Sequence, residues 1–287
     1  MCKPGSLFVV ATPIGNLGDI SQRSVEVLGE VDLIACEDTR TSGRLLSYLG
    51  VATPMTSYHE YNEEDRASEL LRRIKDGKKI ALISDAGTPL MSDPGYRLVS
   101  LCREAGVPVF AVPGPCAGTA ALSVSGLPTN RFLFVGFLPK GKAAQAKALD
   151  ELKHVAVSMI FYIPVNSAPR QLAQIAEKLG DRPAFLVREM TKLYETSLYG
   201  LLSEILEQLS ETPLKGEITL IVGGGESKND SPVHEDLDLK AYLYGLIEYQ
   251  GLSAKEAVRK CVTELNLPRK LVYQASLEVK KSIAGEE

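Results

Sequence analysis

Short apolar runs alternate with amphipathic stretches along the first half of the chain, and the corners after Ala11, Ile83 and Val112 hold glycine or proline. Runs of four or five apolar residues bounded by turn residues read as buried strands, and apolar positions three and four apart read as helices. Leu7–Ala11, Leu33–Cys36, Thr56–Tyr58, Ile80–Ile83 and Val107–Val112 are therefore expected to be strands. The helices expected between them run from Asp19 or Ser21 to Leu28, from Thr41 to Gly50, from Glu63 to Lys75, from Pro94 to Ala105 and from Ala117 to Ser125. Ser92-Asp93-Pro94 has the form of a helix start, with a capping side chain before a proline in the first turn. Regular alternation of strand and helix predicts a mostly parallel sheet.

In such a sheet the loops after the strands share one edge, where open α/β sheets bind ligands. Thr12–Asn16, Glu37–Arg40, Ser84–Pro89 and Pro113–Ala117 are those loops, and together they can line one cleft. Gly87 permits a positive φ or a close backbone approach, and Pro89 keeps Thr88 extended. An ordinary strand–helix turn is the plain alternative for any one of these loops. No G-x-G-x-x-G and no P-loop pattern occurs.

Further on, Phe132–Phe137, Ala156–Ile163, Ala184–Val187, Tyr194–Tyr199 and Ile218–Val222 are expected to be extended. Helices are expected over Lys142–Lys153, from about Pro169 to Leu179 and over Leu201–Leu209, which suggests a mixed sheet. Gly223 to Pro232 has linker composition. After it the pattern is helical: Leu237–Tyr249, a helix opened by the capping box Ser253-Ala254-Lys255-Glu256, and a third from Pro268 to Lys281. The expected organisation is α/β, with an N-terminal domain over residues 1–115, a second domain over 116–225, a linker at 226–235 and a helical extension over 236–287.

Composition changes this picture little. A length of 287 residues accommodates two medium domains and a small extra piece, and 45% hydrophobic with 24% charged residues is ordinary for a globular protein. The net charge of −4 does not advertise nucleic acid, but Ser253–Lys281 holds seven Lys/Arg against three Glu and could meet a polyanion locally. A solvated helix face of mixed charge is the alternative. Five scattered cysteines without C-x-x-C predict neither a disulfide framework nor a metal site, and point to a reducing cytoplasm. No membrane span and no signal pattern is expected.

Taken in order, Thr12-Pro13-Ile14-Gly15-Asn16-Leu17, Glu37-Asp38-Thr39-Arg40, Ser84-Asp85-Ala86-Gly87-Thr88-Pro89 with Ser92-Asp93-Pro94-Gly95, Pro113-Gly114-Pro115-Cys116-Ala117, Arg188-Glu189-Met190-Thr191-Lys192 and Lys215-Gly216-Glu217 carry a resemblance over nearly the whole chain. The sequence resembles the bacterial 16S rRNA cytidine 2′-O-methyltransferases, which have the tetrapyrrole-methylase-like fold. The resemblance implies two α/β domains, a homodimer, and S-adenosylmethionine in the cleft between the domains. It implies cofactor contacts from Pro13, Gly15, Asp85, Gly87, Thr88, Pro113, Gly114, Cys116, Ala117, Tyr162, Met190 and Ile218. The expected partner is 16S rRNA in the 30S subunit, with Arg40, Lys140, Lys142, Arg170, Arg269 and Lys270 as candidate RNA contacts. Where the family usually reads Phe-Tyr-Glu-Ser-Pro-His-Arg, this chain runs from Phe161 to Arg170 without the acid or the histidine.

Transfer of a methyl group to a ribose hydroxyl needs positioning and benefits from a base. His59, His154 and His234 stand alone in the sequence and suit surface or structural roles. Glu37, Asp38 and Asp85 sit at strand ends and could accept a proton, but Glu37 and Asp38 are expected to bond loop backbone or Arg40, and Asp85 to touch cofactor. Glu189 is a candidate to orient the hydroxyl, and Lys192 or Arg188 to hold an RNA phosphate, against the plainer reading of a surface ion-pair cluster. The alternatives to an RNA methyltransferase are a tetrapyrrole methyltransferase of the same fold, and a non-catalytic ribosome-assembly factor with a vestigial cleft.

Overall fold

The computed structural model describes residues 5–210, 216–225, 239–264, 267 and 269–284. The linker expected at 226–235, His234, Lys215 and the Lys270 side chain lie outside the described residues. Two compact units divide the chain, one taking residues up to Gly225 except 154–156, the other taking 154–156 and 226–287.

The first sheet contains β1 (Ser6–Val10), β2 (Leu33–Cys36), β3 (Met55–Ser57), β4 (Lys79–Ile83) and β5 (Val109–Val112). Every pairing in it is parallel and its order is β3-β2-β4-β1-β5. The helices of this region are α1 (Gln22–Glu30), α2 (Thr39–Tyr48), α3 (Glu63–Lys75) and α4 (Tyr96–Glu104). Strand periodicity splits β4 between two cores. Ile80 and Leu82 pack with Leu70, Ile74 and Leu98 of α3 and α4, whereas Ala81 and Ile83 pack with Leu28 and Leu46 of α1 and α2. A strand covered on both faces has no polar position to alternate, which is why Ile80–Ile83 of β4 reads as an unbroken apolar run.

The expected start of α4 is corrected. The helix begins at Tyr96 after an N-cap Gly95 at φ 138°, and neither Ser92 nor Asp93 caps it. The cap comes from Glu63 at the start of α3, whose Oε1 accepts from Gly95 N at 3.1 Å, Arg97 N at 3.2 Å and the hydroxyl of buried Tyr58 at 3.0 Å. One carboxylate thus supplies the α4 N-terminus and satisfies a phenol in the core. Glu63→Ala is expected to cost about 2–3 kcal/mol, through the lost cap and an unpaired buried hydroxyl. Urea unfolding checks this; a loss under about 0.5 kcal/mol, the usual scale of a surface change, would contradict it.

The second sheet contains β6 (Phe132–Phe137), β7 (Ser158–Pro164), β8 (Pro183–Arg188), β9 (Thr196–Leu201) and β10 (Glu217–Val222), in the order β6-β7-β10-β8-β9. β6 and β7 are parallel and the remaining pairings antiparallel, so the sheet is mixed as expected. Its helices are α5 (Ala117–Val124), α6 (Lys142–Leu152), α7 (Ala168–Leu179) and α8 (Leu202–Ser210). The strand expected at Tyr194–Tyr199 lies two residues later, and Pro169 falls in the first turn of α7.

The second unit contains α9 (Leu239–Glu248), α10 (Ala254–Glu264) and α11 (Arg269–Ala284) around Leu243, Leu246, Ala257, Cys261 and Val272. The capping box is formed, since Glu256 accepts from the Ser253 amide at 3.0 Å. Among the described residues no helix is long and apolar enough to cross a membrane, and no group of three or more His, Cys, Asp or Glu is placed to hold a metal.

Candidate active site

All strands of the first sheet run the same way, so the loops after β1, β2, β4 and β5 meet at one edge, and they are stitched together there. Thr12 and Gly87 form a bridge, with Thr12 N donating to Gly87 O at 2.9 Å and Gly87 N to Thr12 O at 3.1 Å. The Thr12 hydroxyl also donates to Ser84 O at 3.1 Å, and that of Thr88 to Pro115 O at 2.9 Å. Asp38 N donates to Asp85 Oδ1 at 3.1 Å. Gly87 has φ 83°, and a Cβ there would lie 3.2 Å from Ile14 Cγ2, so backbone conformation and space both call for glycine.

A cavity of about 550 Å³ opens over these loops. Its opposite wall is the second sheet, where Thr219 of β10 stands between Tyr162 of β7 and Val187 of β8 in one cross-strand row. Tyr162 is fixed by an edge-on contact with Phe134 at 5.3 Å and by the Gly118 amide, which donates to its hydroxyl at 3.1 Å. Burial pushes the Tyr162 phenol well above its ordinary range. Gly136 of β6 has φ 69°, and a Cβ there would lie 2.6 Å from Ser92 Oγ, so the β4 loop and β6 come close beside the cavity.

The cavity is acidic. Glu37, Asp85 and Asp93 all line it, and the pKa of each is raised, chiefly by burial and further by neighbouring carboxylates. Asp38 is different: hydrogen bonds from the Arg40 guanidinium and amide hold its carboxyl down at about 2. The expectation that Glu37 and Asp38 bond loop backbone or Arg40 thus describes Asp38, whereas Glu37 lines the cavity.

Of the candidate cofactor residues, Asp85, Gly87, Thr88, Cys116, Ala117, Tyr162, Met190 and Ile218 line this cavity. Pro13 and Gly15 line an adjoining hollow of about 360 Å³ that shares Ile14, Asp85, Ala86 and Glu217 with it. Pro113 and Gly114 line neither; a Cβ on Gly114 would lie 2.9 Å from the Ala11 Cβ, so that glycine lets the loop pass the end of β1.

Glu189, Lys192 and Glu217 form a cluster beside the hollow. Lys192 Nζ lies 2.9 Å from Glu189 Oε1 and 3.1 Å from Glu217 Oε2, and Glu217 N donates to Glu189 Oε1 at 3.0 Å. The Lys192 hydrogen bond lowers the Glu189 pKa. Burial pulls the Lys192 ammonium down, but its two carboxylates outweigh that and raise it. Lys192 lines the hollow, and its stem lies against Gly15, where a Cβ would come 2.5 Å from Lys192 Cγ. Arg188 donates from Nε to Thr196 Oγ1 at 3.1 Å and lines neither space. Leu90, Ser92, Glu189 and Thr191 have positive φ despite bearing side chains, and all four sit in the loops around the cavity; such strain gathers at functional sites.

Arg40, Lys140, Lys142 and Arg170 are exposed, and none lines the cavity. Arg269 lies in the helical unit. Sequence reasoning missed Thr219, which carries no signal in an apolar strand, and also Arg44 and Tyr48. With Arg40 these last two repeat every four residues on α2, a pattern that could have been noticed, and both line the hollow.

The family described as Tetrapyrrole (Corrin/Porphyrin) Methylases matches residues 6–206. The chain is 42% identical over 272 residues to a ribosomal RNA small subunit methyltransferase I of Micromonospora olivasterospora, covering 94% of this chain and 86% of the relative. It is 41% identical over 276 residues to the protein of that name from Synechocystis sp., covering 96% and 98%. It is 40% identical over 277 residues to that from Escherichia coli O157:H7, covering 96% and 95%. Among solved structures, a uroporphyrin-III-C-methyltransferase from Thermus thermophilus is similar with TM-score 0.54 and 19% identity, covering 77% of this chain and 94% of that one. A diphthine synthase is similar with TM-score 0.58 and 14% identity, covering 76% and 90%. These two speak for the fold alone.

Proposed function

Because the chain belongs to the tetrapyrrole (corrin/porphyrin) methylase family, we propose that it is an S-adenosylmethionine-dependent methyltransferase of small-subunit ribosomal RNA, whose acceptor is the 2′-hydroxyl of a cytidine in the decoding centre of 16S rRNA. The observation that carries this reading is identity of about two residues in five, over nearly the full length, with relatives named for that RNA. The enzyme is taken as a cytoplasmic homodimer without a metal. Phe110, Phe132 and Leu133 are exposed apolar surface of the kind a second copy would cover.

The cavity suits the cofactor in size and chemistry. About 550 Å³ is in the range of small-molecule sites. Ile14, Met91 and Val187 offer apolar wall, Gly87 leaves room for close backbone approach, and Glu37, Asp85 and Asp93 favour a cationic ligand. S-adenosylmethionine supplies a methyl group already activated on a sulfonium. The residues therefore mainly position the partners, which is worth about 7–11 kcal/mol. In this reading Asp85, Gly87, Thr88, Cys116, Ala117, Tyr162, Met190 and Ile218 hold the cofactor, with Pro13 and Gly15 at the mouth and Pro113 and Gly114 shaping the loop behind.

Glu37 takes the proton from the ribose hydroxyl. It lines the cavity, and burial makes it a stronger base than an exposed glutamate. The target nucleotide enters through the hollow past Arg44 and Tyr48, with Lys192 near its phosphate. Glu189 orients Lys192, and Arg188 braces the same corner. Arg40, Lys140, Lys142, Arg170, Arg269 and Lys270 meet flanking RNA.

The test incubates the protein with methyl-labelled S-adenosylmethionine, 30S subunits and a precorrin-type tetrapyrrole. Label is expected in 16S rRNA at a cytidine 2′-oxygen. Label in the tetrapyrrole and none in rRNA would reverse the choice of substrate. Absence of cofactor binding by calorimetry would point to the assembly-factor alternative.

A further inference from the structure

The helical unit contains a groove of about 550 Å³ between α10 and α11, of whose lining the reading above uses Arg269 alone. On α10 it is lined by Lys255 and Arg259, one turn apart; on α11 by Arg269, Tyr273, Leu277 and Lys280, which repeat at four, four and three residues and so form one stripe. Among the described residues no acidic side chain lines it. Two of the described acids nearby have other partners: Glu278 pairs with Lys240, and Glu256 accepts from Ser253. Among the described residues Lys255, Arg269 and Lys280 make no ion pair. Tyr273 is 56% and Leu277 45% exposed, an unusual outlay of aromatic and aliphatic surface between cations.

Cations flanking an exposed ring are the arrangement that holds a single strand, with phosphates on the charges and a base stacked on the aromatic. The α11 stripe from Arg269 to Lys280 is about 16 Å long at 1.5 Å per residue, enough for a few nucleotides. We propose that the α10–α11 groove is a second RNA-binding site, which grips an unpaired segment of RNA backbone away from the nucleotide being methylated. It rests on the reading of the chain as an RNA methyltransferase and adds a separate anchor to it.

The test uses the full chain and two variants, Lys255→Glu/Lys280→Glu and Tyr273→Ala, with a short labelled single-stranded RNA followed by fluorescence anisotropy across a salt series. The double variant is expected to weaken binding at least about tenfold and to shrink the slope of log K against log salt by about 1.4, since each lost phosphate contact contributes about 0.7 on a single strand. Tyr273→Ala is expected to lower affinity about tenfold with the salt slope kept, because stacking is not an ionic contact. On 30S subunits the double variant should raise KM and leave calorimetric affinity for S-adenosylmethionine within about twofold. Unchanged RNA affinity and salt slope in the double variant, or no RNA binding by the wild-type chain, overturns the inference. So does loss of binding to phosphatidylserine vesicles with RNA affinity kept, which would make the groove a lipid site. Wild-type protein that binds RNA through this groove but labels no rRNA would overturn the methyltransferase reading and leave the groove assignment standing.

Discussion

Glu37→Gln is expected to lower the single-turnover rate of methyl transfer to 30S subunits by about 10²–10⁴-fold, the span a positioned base contributes. Cofactor affinity should fall less than about tenfold, because Asp85 and Asp93 still line the cavity. The pH profile gives a second readout. The wild-type rate should fall in acid as Glu37 takes up a proton, at a pH above the ordinary 4.5 because burial raises its pKa. The variant should lack that limb. Stability should move the other way. A carboxyl whose pKa rises on folding favours the folded state below its ordinary value, and that contribution is lost as pH climbs through the raised one. At neutral pH an ionised Glu37 therefore burdens the fold, and Glu37→Gln should raise the urea midpoint. A variant with full activity would remove Glu37 from the chemistry.

Gly87→Val is expected to abolish cofactor binding, raising its Kd by at least about 100-fold. The new Cβ would lie 3.2 Å from Ile14 Cγ2, in a backbone conformation of φ 83° that costs an L residue about 1–2 kcal/mol and a β-branched one more. The Thr12–Gly87 bridge would have to yield, and with it the loop that places Asp85 and Thr88. Calorimetry with S-adenosylmethionine measures the loss, and circular dichroism checks that the two sheets persist. Affinity within about threefold of wild type would show that the loop does not carry the cofactor.

The strand ends were legible because they use residues with strong local preferences. Gly87 and Pro89 announced a stiff corner, and the unbroken apolar run of β4 announced a strand covered on both faces. The start of α4 was not legible, because its cap is Glu63, some thirty residues earlier in the chain, and no local pattern encodes a borrowed carboxylate. Asp93, read as a cap, instead lines the cavity. The second wall was legible only in part. Tyr162 and Ile218 follow from the family resemblance, whereas Thr219 becomes visible once the register sets it between Tyr162 and Val187. Positive φ at Glu189 and Thr191 had no glycine to signal it. Arg188, Glu189 and Lys192 read as one cluster, yet the structure turns Arg188 to Thr196 and joins the other two to Glu217, a strand away.

Crystals grown with S-adenosylhomocysteine, the demethylated cofactor, bear most directly on the central claim. Difference density should show its nucleoside and amino-acid parts lodged between the Gly87 loop and the Tyr162–Thr219–Val187 row, with its sulfur facing the hollow lined by Arg44 and Tyr48. Density for the ligand at any other place on the chain, with this cavity filled by solvent, would contradict the account.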